Sequence, residues 1–268
     1  MSPRRVLLLA ATIAAASCGG GFVYRPATPA ELAGHLEFDW IRDTTPHFRL
    51  YVDSDAPAAR RIPQLKREVE ASYRRIEEVL GRAPDAAEPV HVFQVASRDD
   101  VRKLTGLRVN GFAYPETGVV VGIEIDGRSA ATSPHEIMHV FQYRHFGSGG
   151  IGTTWGSLAL NEGMAVFASG NWHGRDLHEL AREIRASGRG ASARALLAEG
   201  RAAVSDDVLY PLAGSFVRFL HERYGADLVY RYYERQFESD TSELEAVFGR
   251  TAVELDADWS EALAGAGS

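Results

Sequence analysis

Between residues 57 and 80 apolar side chains recur at intervals of three and four. Leu65, Val69, Tyr73, Ile76 and Leu80 fall on one face of an α-helix that Gly81 stops. Pro63 marks either the true start of this helix or a kink in it. The Arg and Glu residues between the apolar positions form its solvated face. On both sides of the helix the period falls to two. His47-Phe48-Arg49-Leu50-Tyr51-Val52 and Pro89-Val90-His91-Val92-Phe93-Gln94-Val95 read as strands. Asp53-Ser54-Asp55 ends the first strand, and Ser97-Arg98-Asp99-Asp100 caps a short helix reaching Leu104. Asn110 to Ile123 reads as a hairpin turning at Pro115 to Gly118, with a second arm rich in β-branched residues. That arm is either an ordinary core strand or one that lies along a cleft and pairs with extended peptide.

The second half changes character. Ser133 and Pro134 supply the cap and first position of a helix with Ile137, Val140 and Phe141 facing the core. It is expected to end near Gly147, because Gly147-Ser148-Gly149-Gly150-Ile151-Gly152 has too much chain entropy to stay helical and predicts a flexible loop. A strongly apolar helix follows around Leu158 to Phe167. Further helices are predicted over 176–186, 192–198, 208–224 and 227–237, with two short ones after Ser239 and Arg250. Strands first and helices afterwards predict an α+β fold: a small twisted β-sheet lobe with one covering helix, packed on a helical lobe.

The first residues stand apart. Arg4 and Arg5 precede an apolar run from Val6 to Ala16, too short to span a bilayer. Ala15-Ala16-Ser17-Cys18 resembles the lipobox of bacterial lipoproteins, with Ala15 where Leu is commoner, and plain secretion with cleavage after Ala16 or Ser17 is the alternative. Cys18 is the only Cys in the chain and has no disulfide partner within it, so a lipid acceptor suits it. The expected organisation is a signal peptide over 1–17, a flexible Gly/Pro/Ala-rich tether over 18–36 and one folded unit over 37–268. The product would be exported and held to the cell envelope by its N-terminal lipid alone. Gly19 stands where an inner-membrane lipoprotein often has Asp, which favours the outer membrane, facing the periplasm. The net charge of −7 and the lack of a Lys/Arg cluster speak against a nucleic-acid partner.

The candidate chemistry lies in His135-Glu136-Ile137-Met138-His139. Helical positions four apart differ by about 40°, so both imidazoles can reach one metal ion. Glu136 sits beside them, placed to act as a general base rather than a ligand. A catalytic zinc site needs a third protein ligand. His145 completes the spacing of the metzincins, but Gln142 stands where those enzymes break the helix with Gly. A continuing helix puts His145 about 240° round from His139. Glu162 is the other candidate. A carboxylate among Leu158, Leu160, Met164, Val166 and Phe167 is costly to bury without a cation, and Gly163 and Ala165 permit close helix approach.

Asn161, Glu162, Gly163 and Ala165 match the Asn-Glu-Gly-x-Ala signature of the aminopeptidase-like gluzincins. Together with the His135–His139 motif the chain therefore resembles a gluzincin zinc peptidase. The resemblance implies Zn2+ held by His135, His139 and Glu162, with Glu136 as base and a peptide or protein as substrate. It also implies a Tyr or His beyond the Glu helix as donor to the oxyanion. Tyr210 is the candidate, because Tyr210-x4-Ser215-Phe216-Val217-Arg218-Phe219-Leu220 is similar to the helix following that Tyr; Pro211 would set it at a helix start. His173, His178 and Tyr224, Tyr230, Tyr232 and Tyr233 are lesser candidates. The chain departs from the family in three places. Twenty-two residues separate His139 from Glu162. Gly111-Phe112-Ala113-Tyr114 occupies the place of the motif that binds a free amino end, and Val166 stands where thermolysin-like enzymes have Asp. The competing expectation is a non-catalytic lipoprotein that uses the same fold to bind a partner or peptide.

Overall fold

The computed structural model describes residues 24–147, 155–235 and 242–265. Its fold is mixed α+β. The elements in order are α1 (Pro29–Ala33), β1 (Trp40–Thr44), β2 (Phe48–Asp53), α2 (Ile62–Leu80), β3 (Val90–Val95), α3 (Arg98–Thr105), β4 (Gly111–Tyr114), β5 (Val119–Ile125), β6 (Arg128–Ser129), α4 (Pro134–Phe146), α5 (Trp155–Ser169), α6 (Leu177–Ala186), α7 (Ala193–Glu199), α8 (Asp206–Tyr224), α9 (Ala226–Arg235), α10 (Ser242–Phe248) and α11 (Ala252–Gly265). The sheet runs β1-β2-β3-β5-β4, with β6 paired to β5. β2, β3 and β5 are parallel; β1 and β4 are antiparallel to their neighbours.

Both faces of this sheet are covered, not one. Val90, Val92 and Val120 point into a core shared with α2, α4 and the later helices. Phe93, Val95, Val119, Val121 and Ile123 point the other way, onto α3 and Leu32 of α1. A strand buried on both faces reads as an unbroken apolar run, which is why Val119 to Ile123 lacks alternation. β5 lies between β3 and β4, so both its edges are taken and it cannot add a peptide strand. β4 ends the sheet instead.

The segment expected to be a tether is described in part. Of residues 18–36, Tyr24 and Leu32 pack on the fold, while Leu36 is fully exposed. Thr28 and Glu31 form a reciprocal cap on α1, Leu32 is buried, and the Tyr24 hydroxyl donates to Glu116 Oε2 at 2.6 Å. Tyr24 also packs on Phe112 and Tyr114. Residues 1–23, with the expected leader and Cys18, lie outside the described residues. So do 148–154, where most of the expected Gly-rich loop falls, and 236–241. No helix among the described residues is long and apolar enough to cross a membrane.

α2 buries Leu65, Val69, Tyr73, Ile76 and Leu80 as the spacing predicts. Pro63 stands in its first turn, marking a start rather than a kink, and Gly81 closes it in the left-handed region at φ 68°. α2 also anchors the chain entering α4. Ser72 Oγ donates to the Thr132 carbonyl at 2.6 Å, and Thr132 Oγ1 donates to Glu68 Oε2 at 3.0 Å. Gly122 lets this segment lie against β5, since a Cβ there would meet Ala131 N at 2.5 Å.

α5 and α8 interlock through two glycines. A Cβ on Gly163 would lie 2.8 Å from the Ala213 carbonyl oxygen, and one on Gly214 would lie 2.5 Å from Val166 Cγ1. Gly163→Ala therefore sets two effects against each other. Helix propensity favours Ala by about 1 kcal/mol, while overpacking against backbone costs about 1–3 kcal/mol. The expected outcome is net destabilisation, seen as a lower urea midpoint at unchanged slope.

Candidate metal centre

α4 starts at Ser133, whose Oγ accepts from His135 N at 3.2 Å, and it buries Ile137, Met138, Val140 and Phe141 fully. Those four fix the helix's rotation and turn His135 and His139 the same way. The two rings stand at 88° with centroids 5.0 Å apart. α5 packs across them and delivers Glu162. His135 Nε2 and His139 Nε2 are 3.4 Å apart, and Glu162 Oε2 lies 3.4 Å from the first and 3.5 Å from the second. Among the described residues, His135, His139 and Glu162 are the group of side chains that could hold a metal ion.

Glu162 Oε2 is buried and has no hydrogen-bond partner. Its contacts of 3.4 and 3.5 Å are ion-pair distances, too long for good N–H···O bonds. Burial by itself would raise the Glu162 pKa, but the charge of His139 overrides it and, with His135, holds the carboxyl well below the usual carboxylate range. Burial likewise opposes charge on His139, and the Glu162 carboxylate outweighs it, pushing the imidazolium up to about 9. A buried carboxylate oxygen without a hydrogen bond, set 3.4–3.5 Å from two imidazole nitrogens, is an arrangement that could hold a cation.

Gln142 orients the site. Its Oε1 accepts from His139 Nδ1 at 2.9 Å, and its Nε2 donates to the Asn161 carbonyl at 3.0 Å. The first bond keeps a proton on Nδ1, so Nε2 is the nitrogen that could give up its proton to hold a metal; the second ties α4 to α5. From the sequence Gln142 was legible only as a residue that keeps the helix running. α4 does run on through it to Phe146 and ends at Gly147.

His145 is consequently far from the group. Its Nε2 accepts from Asp85 N at 3.1 Å, and its ring meets Tyr230. The metzincin alternative thus has no third ligand in His145. Glu136 is partly exposed and lies against β4, where a Cβ on Gly111 would meet its Oε1 at 3.0 Å.

Tyr210 joins the site from α8. Its ring lies near-parallel to His135, with centroids 6.3 Å apart, and to Trp172 at 5.0 Å. The helix begins at Asp206, so Tyr210 sits inside it, and Pro211 is an interior proline rather than a start. Burial first, then the Glu162 charge, pushes the Tyr210 phenol far above the ordinary tyrosine range, so it stays a neutral O–H donor. Trp172 and Arg201, whose Nη2 donates to the Tyr210 oxygen at 3.0 Å, were not singled out by sequence. Neither carries a spacing signal, because both reach Tyr210 from the segments joining helices.

His173 is exposed beside Trp172 at φ 52°. Tyr224 and Tyr232 pack on Phe248, and Tyr233 is buried against Phe146. His178 is a core residue: its Nδ1 pairs with Ser215 Oγ at 2.8 Å, while Trp259 Nε1 donates to the same oxygen at 3.1 Å. Burial, then the nearby Arg218 cation, lowers the His178 pKa in spite of Glu222. A folded-state pKa below the unfolded value of about 6.5 means that the unfolded chain takes up the proton first. His178 therefore supports the fold fully above about pH 6.5 and less as pH falls. The Tm advantage of wild type over His178→Asn is expected to shrink between pH 7 and pH 5.

No protein-family model matches the chain, and no curated protein matches it significantly.

Proposed function

We propose that the protein is a zinc peptidase of gluzincin type, exported and anchored to the bacterial envelope by a lipid on Cys18. The triangle of ligand atoms carries this proposal. With sides of 3.4, 3.4 and 3.5 Å it forms the base of a nearly regular tetrahedron. The centre of such a tetrahedron lies about 2.1 Å from each corner, matching Zn–N and Zn–O bonds of about 2.0–2.2 Å. Two imidazoles and one carboxylate suit zinc, whereas Ca2+ and Mg2+ prefer oxygen ligands.

Zinc in this position supplies Lewis acidity, polarising a scissile carbonyl and acidifying water. The remaining work falls to the chain. The Glu136 carboxylate takes a proton from the attacking water as the C–O bond forms, then passes it to the leaving nitrogen as the C–N bond breaks. The Tyr210 phenol donates its proton in a hydrogen bond to the carbonyl oxygen as that atom gains negative charge. Gln142 keeps His139 in one tautomer. β4, at the end of the sheet beside Glu136, is the strand along which an extended substrate would pair.

The test uses purified protein lacking the leader. One zinc per chain is expected after loading and dialysis, with cleavage of a casein-type mixture that a chelator abolishes and zinc restores. Tight zinc binding with no cleavage across many peptides would leave the binding-protein alternative standing.

A further inference from the structure

Arg201 lies in the 3-10 turn Gly200–Ala202 that leads out of α7, and only 18% of its side chain is exposed. Its Nε donates to Asp206 Oδ1 at 2.6 Å and its Nη2 donates to the Tyr210 hydroxyl oxygen at 3.0 Å. Asp206 and Tyr210 are four apart on α8 and share a face, so one rigid guanidinium spans both. A guanidinium can only donate. It therefore occupies a lone pair of the phenol oxygen and leaves the single phenol proton for an acceptor elsewhere. The ring packs on Trp172, with centroids 5.0 Å apart, and lies near-parallel to His135 at 6.3 Å.

Resting on the peptidase proposal, we propose that Arg201 is a positioning residue: it holds Tyr210 with its proton directed at the substrate carbonyl and strengthens it as a donor while charge builds there. Asp206 fixes Arg201 in turn and offsets its charge, so the guanidinium serves the phenol rather than a substrate anion.

The test combines kinetics with a spectrum that needs no turnover. Arg201→Met keeps the apolar stem and removes the donors; Arg201→Lys keeps a cation. With zinc loaded, Tyr210→Phe is expected to lower kcat about 10²–10³-fold, the range for losing one oxyanion donor. Arg201→Met is expected to lower kcat about tenfold, with KM and zinc content close to wild type, and Arg201→Lys to recover part of the loss. The double variant Arg201→Met/Tyr210→Phe should be no slower than Tyr210→Phe alone, because the two residues act as one unit. In protein labelled with [13Cζ]tyrosine, the resonance missing from Tyr210→Phe should shift in Arg201→Met and return part of the way in Arg201→Lys. Multiplicative losses in the double variant, or an unmoved resonance, overturn the proposal. So does a KM increase confined to peptides with a free C-terminal carboxylate, which would make Arg201 a reader of the substrate. If wild-type protein cleaves nothing, the peptidase proposal has failed by itself, and the resonance alone decides whether Arg201 positions Tyr210.

Discussion

Glu162→Ala is expected to abolish stoichiometric zinc binding and, with it, all peptide cleavage, while the protein stays folded. In the proposed site the carboxylate would supply one of three atoms set 3.4–3.5 Å apart, and two imidazoles alone cannot close the tetrahedron. Loss of affinity should exceed the roughly 10–100-fold typical of removing a partner that merely orients a ligand. Gln142→Leu, which strips His139 of its acceptor, provides that smaller loss as an internal scale. The fold should tolerate Glu162→Ala because, once the carboxylate is gone, burial keeps His139 a neutral imidazole rather than an unpaired cation, and Ala is the best helix former. Zinc should therefore raise the Tm of wild type by mass action and leave that of the variant unchanged. Metal content after dialysis, read beside thermal scans, measures both effects. His145→Ala is the control: its imidazole is engaged with Asp85, so zinc content should stay at wild-type level. Full retention of zinc by Glu162→Ala would remove the basis for the peptidase proposal.

The two helices that bring His135, His139 and Glu162 together were readable in advance because the placement of these residues is written in helical spacing. His135 and His139 share a face by periodicity alone, and Glu162 stands out as a charge in an apolar run that has to be neutralised. Relations between elements were not readable. Gln142 ties α4 to α5 only because α5 brings the Asn161 carbonyl within 3.0 Å, and Arg201 meets Tyr210 only because the turn after α7 packs against α8. The same limit hid β1. Trp40-Ile41-Arg42-Asp43-Thr44 is short and charged, as an edge strand tends to be, and nothing local marks it. α1 is a different kind of omission. Thr28-Pro29-Ala30-Glu31 is a capping-box pattern with proline at the first helical position, and the Gly- and Pro-rich composition around it hid that signal. The metzincin alternative turned on one property, whether Gln142 continues the helix, and helix propensity gave the sign that α4 bears out.

Glu136→Gln separates chemistry from metal binding. Glu136 is not among the side chains that could hold the ion, and its carboxyl lies beside β4 with Oε1 and Cγ against Gly111. Gln has the same shape, so β4, α4 and the ligand triangle should be undisturbed and zinc should bind as in wild type. What disappears is the basic oxygen. An amide cannot take a proton from water near neutral pH, so kcat should fall by about 10²–10⁴, the usual contribution of a positioned acid–base group, with little change in KM. Gly111→Ala probes the same contact from the strand. A Cβ 3.0 Å from Oε1 forces the carboxylate to move by a few tenths of an ångström, so a smaller loss of kcat should appear, again at full zinc content. Wild-type turnover in Glu136→Gln would mean that the proton goes elsewhere. Loss of zinc together with turnover would place Glu136 in the metal's own support. Glu162→Ala, by contrast, is expected to lose both at once, so the pair of variants distinguishes the residue that holds the ion from the residue that uses it.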